Sequence, residues 1–345
     1  MESLVLIYRL SIVFFILSAL FFQVRSQDIH FSQYQLSPLT VNPASAGGFN
    51  GTYRFNALYR MQWGTVSVPY NTVALSVDAR DFADKKNFNA GFNFYYDRAG
   101  DSHYSNLLAG LSLAYSIPFD RRRLSYLNMG VQATITQRTF DMQRLQFDSQ
   151  YLPHQYGGTY MPWLPSNESF TGFSVFYPDV NAGLYYHWQP EKRKRITLGM
   201  SFYNILKPRQ SFMQNTEIRL DRRLNLHASG SFRVDQKIDV LPVMLFMVQG
   251  TFFQFTPGVA GRYIVENHMY RYRALYAGIY TRASDAAYVT LGMDYNEWYV
   301  GLSYDLNYSR LVPASRGQGG WEVGLTYRIG KMPDRRKYRD CPDFM

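Results

Sequence analysis

Cysteine is nearly absent from this chain of 345 residues: the single one is Cys341, close to the C-terminus. A disulfide within the chain is excluded, and so is a thiolate cluster that would hold zinc or an iron–sulfur centre. The six histidines, His30, His103, His154, His187, His227 and His268, are dispersed, with no pair spaced to share a helix face or a turn. No metal site and no cofactor are indicated. Long apolar runs are also missing. Beyond Leu10 to Phe22 nothing approaches the roughly 20 residues of a membrane-spanning helix, and the mean hydropathy is -0.27.

The one apolar run is too short to span a bilayer. It follows Arg9 and ends in Val24-Arg25-Ser26, whose aliphatic and small residues suit signal peptidase, so residues 1–26 read as a secretory signal peptide and the mature chain is expected to start at Gln27. Removing Glu2, Arg9 and Arg25 lowers the formal charge of +10 by one unit, so the basic excess belongs to the mature chain. Glu191-Lys192-Arg193-Lys194-Arg195 looks like a nucleic-acid-binding run. On an exported chain it reads as a solvated turn, and no nucleic-acid partner is expected.

Aromatic residues, in contrast, make up 17% of the chain, with 29 Tyr and 25 Phe. They recur in alternation: from Tyr53 to Trp63 large apolar side chains occupy nearly every odd position and Arg54, Asn56, Arg60 and Gln62 the even ones. Successive strand side chains point to opposite faces, so each such segment predicts a strand with different solvents on its two sides. About fourteen segments follow this pattern, beginning near residues 53, 70, 88, 104, 124, 174, 195, 222, 238, 256, 273, 286, 297 and 320. Each reaches the roughly 10 residues that a tilted membrane strand needs. Low apparent hydropathy with many aromatics is what results when half of every strand faces a polar lumen and aromatic belts mark both membrane interfaces. The expected fold is all-β: a transmembrane antiparallel outer-membrane β-barrel of about fourteen strands over residues 53–330, embedded in outer-membrane lipid. A soluble sandwich, barrel or propeller would share the alternation. Strand length, aromatics at strand ends and the parity of turn lengths favour the membrane barrel.

That parity is independent of the alternation. With both termini in the periplasm, every second connection should be short. Asp120 to Arg123, Pro190 to Lys194, Asp235 to Lys237 and Tyr295 to Glu297 fit the periplasmic side, and the longest connection, Phe140 to Phe173, falls outside. Its Tyr151, Tyr156, Tyr160 and Trp163 are candidates for partner binding. A short external turn near Thr256 to Gly258 fits poorly.

Gly-x-Ser occurs at Gly110, Gly199 and Gly301, but each lies inside an alternating strand and lacks the strand-to-helix turn of a nucleophile elbow. No enzyme is indicated. The polar faces instead collect both signs of charge, among them Arg54, Arg60 and Arg328 with Asp78, Asp179, Asp305 and Glu322. Selective pores line a constriction with one sign, whereas a mixed set favours paired charges across a filled interior. Residues 27–52, punctuated by Pro and Gly, should be non-strand and could fold into the barrel mouth as a plug, with Phe31, Gln33, Asn42 and Pro43 as lumen residues. The alternative is an unstructured leader, which would leave Phe31, Tyr34, Leu36 and Leu39 exposed. Residues 331–345 form a basic tail, for periplasmic docking or simply solvated.

Asp28-Ile29-His30-Phe31-Ser32-Gln33, Asn42-Pro43-Ala44 with Gly47, and Tyr59-Arg60-Met61-Gln62-Trp63 occur in this order, followed by Asp179 to Tyr186, Asn204-Ile205-Leu206, Tyr304-Asp305-Leu306 and the terminal Cys341-Pro342. In these the chain resembles the PorP/SprF outer-membrane proteins of the Bacteroidetes type IX secretion and gliding system. The Pro38 to Val41 stretch and the end Asp343-Phe344-Met345 depart from the family's pattern in detail. The resemblance implies a non-enzymatic barrel that works with other type IX secretion components to export or retain a large secreted cell-surface protein such as an adhesin. A passive porin or uptake channel for small solutes is the alternative.

Overall fold

A computed structural model describes residues 30–64, 68–100, 102–151, 158–161, 163–166, 168, 172–212, 217–268, 271–309 and 312–330. The leader 1–26, the tail 331–345 and Tyr156 lie outside the described residues. Seven strands come first: β1 (Tyr53–Gln62), β2 (Tyr70–Ala79), β3 (Phe88–Ala99), β4 (Tyr104–Pro118), β5 (Ser125–Thr139), β6 (Ser174–Glu191) and β7 (Lys194–Tyr203). Seven more follow: β8 (Arg223–Arg233), β9 (Ile238–Gln249), β10 (Phe252–Asn267), β11 (Tyr272–Arg282), β12 (Ala286–Tyr295), β13 (Trp298–Asn307) and β14 (Gln318–Ile329). Each pairs antiparallel with its sequence neighbours, and β1 closes on β14. Closure leaves no sheet edge, which is the condition for a strand structure to cross lipid without orphaned backbone groups.

The alternation decides which way each strand faces. On β5, Tyr126, Asn128, Gln132, Thr134 and Thr136 are buried inward while Met129, Val131 and Ile135 stand outward and exposed. Leu111, Leu113 and Tyr115 of β4 continue this apolar outer surface. A belt of that extent is foreign to a soluble monomer and normal for a barrel in lipid. Aromatic contacts mark both rims: Trp298 stacks on Tyr327 with ring centroids 4.2 Å apart at the end where the chain enters β1, and Trp63 meets Tyr70 at 4.8 Å at the other. Among the described residues no helix is long and apolar enough to cross a membrane.

Call the end where residue 53 enters and residue 329 leaves the near end. Its connections are residues 80–87, 119–124, 192–193, 234–237, 268–271 and 296–297, all short, whereas the long connections 140–173, 204–222 and 308–317 lie at the far end. One expected turn is displaced. Thr256, Pro257 and Gly258 lie within β10, and the chain reverses at Gly250 and Thr251, where Gly250 has φ of 57°. Pro-Gly is a strong turn signal in sequence, but the β10–β11 pairing begins only at Gly258. Pro257 therefore sits at the margin of a ladder, where a missing N–H is tolerated.

Candidate functional site

Residues 30–52 contain no strand; they make three short helical turns, at Tyr34–Leu36, Pro38–Val41 and Pro43–Ser45. Pro38 and Pro43 occupy first helical positions, where a missing N–H costs nothing. The segment lies inside the barrel. Phe31, Tyr34 and Leu39 are buried, Phe31 against Leu58 and Ala74 of the wall. It reaches deeper than a mouth plug would, since Ser32 and Gln33 bond to residues in the far half of β13 and β14.

That deep contact is a charge network. Glu322 accepts from the backbone N–H groups of Ser32 (2.6 Å) and Gln33 (2.8 Å) and from Arg60 (2.6 Å). The Ser32 hydroxyl donates to Asp305 at 2.7 Å and accepts from Arg282 at 2.8 Å. Arg60 also reaches Asp305 at 3.1 Å and the His30 carbonyl at 3.0 Å. Arg60 and Arg282 thus share the buried carboxylates Asp305 and Glu322, and Arg282 also pairs with the more exposed Asp285 at 2.7 Å; an unpaired buried charge would be strongly destabilising.

The second contact is a close approach of backbones. Asn42 caps the Pro43–Ser45 turn by accepting from Ala44 N–H at 2.9 Å, and its amide donates to the Leu184 carbonyl at 2.8 Å. Room for this comes from two inward glycines: a Cβ on Gly130 would lie 2.5 Å from Ala44 Cα, and one on Gly183 would overlap Asn42. The carbonyls left open at the end of the Pro38–Val41 turn are taken by the wall, through Tyr203 to Leu39 (2.8 Å) and through Ser201 (2.6 Å) and Asn225 (2.8 Å) to Val41. At the near end, Asp78 accepts from Gly47 N–H (2.9 Å) and is held by Arg54, which also lies over the Phe49 ring at 4.7 Å.

The structure therefore brings Phe31, Gln33, Asn42, Pro43, Arg54, Arg60, Asp78, Asp305 and Glu322 together at the lumenal segment. Asp179 and Arg328 stand apart from it. Asp179 accepts from Leu206 N–H at 3.1 Å and so anchors the 204–222 connection, and Arg328 pairs with Asp294 at 2.7 Å. Sequence reasoning missed Ser32 and Arg282 as members of the network; Ser32 lies in the N-terminal motif, and Arg282 is on the inward parity of β11 with nothing to mark it further. In the 140–173 connection, Trp163 (75% exposed) and Tyr151 project outward, whereas the Tyr160 hydroxyl bonds to Gln150 at 3.2 Å.

The three Gly-x-Ser serines face inward within strands, and Ser201 is used on Val41. Among the described residues no cluster of His, Cys, Asp or Glu could hold a metal ion.

Solved structures similar to this chain are barrels. A Ralstonia pickettii toluene transporter, TbuX, shows 11% identity over 85% of this chain and 93% of its own, with a TM-score of 0.49. A Pseudomonas aeruginosa FadL homologue shows 13% identity over 84% and 93%, with a TM-score of 0.44. No curated protein matches the chain. A family model described as type IX secretion system membrane protein PorP/SprF matches residues 23–327. A closed strand barrel of a secretion-system membrane family is an outer-membrane protein, and this chain belongs to the PorP/SprF family of type IX secretion system membrane proteins.

Proposed function

We propose that this barrel is a non-enzymatic platform of the type IX system that supports export or surface anchoring of a large secreted cell-surface protein, adhesin-like and in some settings a gliding component. Both termini face the periplasm in this reading, and a cleaved signal peptide delivers the chain there. The observation that supports it best is the lumen occupied by residues 30–49, held by buried ion pairs and backbone bonds, which is ill suited to passive flow. The far-end connections, foremost residues 140–173 with Tyr151, Tyr156, Tyr160 and Trp163, then bind the partner. Other type IX components meet the periplasmic end.

Deleting the gene and labelling the cell surface tests the role. A specific large surface protein should vanish from the surface while outer-membrane permeability stays unchanged. An unaltered surface proteome would sink the platform reading, and rapid swelling of liposomes containing the purified barrel in common sugars would support the porin instead.

A further inference from the structure

Beside the lumenal segment the near half of the barrel holds a cavity of about 1140 Å³, bounded by Tyr34, Leu36 and Phe49 on one side and by the near-end connections on the other. Its charge is one-sided. Several of its cations are already matched: Arg54 by Asp78, Arg123 by Asp81, Arg193 and Arg262 by Asp239, and Arg328 by Asp294. Arg80, Lys86, Arg122, Lys192 and Arg195 also line it, and none makes an ion pair among the described residues. Against these five stand two unmatched carboxylates in the lining, Asp84 and Glu191.

These cations without a carboxylate partner, of which Arg80 donates to the Phe49 carbonyl at 3.3 Å, do not converge on a point. Arg80 and Lys86 lie between β2 and β3, Arg122 between β4 and β5, and Lys192 and Arg195 at the β6–β7 turn. Strands are spaced about 4.8 Å apart, so these groups span an arc of roughly 25 Å, the length of about eight extended residues. One phosphate or carboxylate cannot engage such an arc; a chain bearing several can. The opposite wall is rich in tyrosine, with Tyr272, Tyr276, Tyr280 and Tyr299. Tyrosine and arginine together are the side chains enriched where proteins bind proteins.

We propose that this near-end vestibule binds an acidic stretch of extended polypeptide. The site goes beyond the platform reading and stands whether or not a cargo is exported. The basic arc draws in the acidic side chains, the tyrosines cover the backbone, and the lumenal segment stops the peptide from passing further.

Purified full-length barrel in detergent, titrated into fluorescein-labelled oligoglutamate and read by anisotropy, tests this. Binding should saturate, weaken with added salt, and fall roughly tenfold when Arg122→Glu and Arg195→Glu are combined. Both side chains are exposed, so the barrel should keep its heat-dependent gel mobility; Lys86→Gln with Lys192→Gln is the second, milder pair and should weaken binding in the same direction. Arg144→Glu with Lys207→Glu, at the far end, should change nothing. The basic residues of 331–345 are the same in every variant. Absence of saturable binding, or an equal loss in the far-end variant, would overturn the site. Displacement by inorganic polyphosphate as effective as by unlabelled oligoglutamate would overturn its assignment to polypeptide.

Discussion

Arg60 and Glu322 face each other across the seam where β1 meets β14, both 1% exposed and 262 residues apart in sequence. Their ion pair bridges that seam and binds the lumenal segment at once, since Glu322 also accepts the Ser32 and Gln33 amides. Glu322→Gln keeps the shape and removes the charge, leaving Arg60 with Asp305 as its one ion-pair partner, which Arg282 also contacts while keeping Asp285 at 2.7 Å. A loss of about 3–5 kcal/mol follows from an unbalanced buried charge, measurable by urea unfolding in micelles. Arg60→Met combined with Glu322→Gln should cost less than the two single losses added, because the stranded cation goes as well. Individual residues were only partly legible in sequence. Inward parity marked Arg60, Asp305 and Glu322 as lumen residues, yet the same parity marked Asp179 and Arg328, which bond elsewhere. Parity tells which face a side chain takes, whereas its partner depends on register and on what fills the space opposite.

Among the elements, the lumenal segment is held by the barrel rather than by its own helical turns, which are three or four residues long and too short to persist alone. The sheet does not need it in return, because the strand ladder is continuous from β1 to β14. Deleting residues 30–49 should therefore leave a folded barrel with a large conductance in planar bilayers, and the intact protein should pass little current. Equal currents would show that the segment does not obstruct the lumen. Near-end turns are tied to one another as well. Burial alone would raise the Asp81 carboxyl, but the Asn87 N–H and the Arg123 guanidinium outweigh it and hold the group below the usual carboxylate range. A folded pKa below the unfolded one means that this contact is complete above the ordinary carboxylate pKa and is lost as pH falls through the lowered value. Proteolysis of residues 80–87 should rise only under that acidic condition, and Arg123→Ala should move its onset to higher pH.

For the whole molecule the decisive property is that polarity is inverted: bonds and charges inside, bare apolar side chains outside. Leu111, 64% exposed in the middle of β4, faces the position of lipid. Leu111→Arg should destabilise insertion by about 2–4 kcal/mol, read as a lowered folded yield in phospholipid vesicles, while Gln189→Arg, at a position lining the near-end cavity, should change it far less. Little effect from Leu111→Arg would argue for a soluble barrel.

Strand number, strand face, barrel class and the strandless character of residues 30–52 were all determined by the sequence, because period-two alternation and turn chemistry are local and each segment carries its own signal. The tertiary structure alone decided that β10 runs through Pro257 and Gly258, that Ser32 and Arg282 join Arg60, Asp305 and Glu322, and that Gly130 and Gly183 let the lumenal backbone approach the wall. Those outcomes depend on which strands become neighbours and how far each is offset along the barrel. Contacts between residues hundreds of positions apart exist only once the sheet has closed.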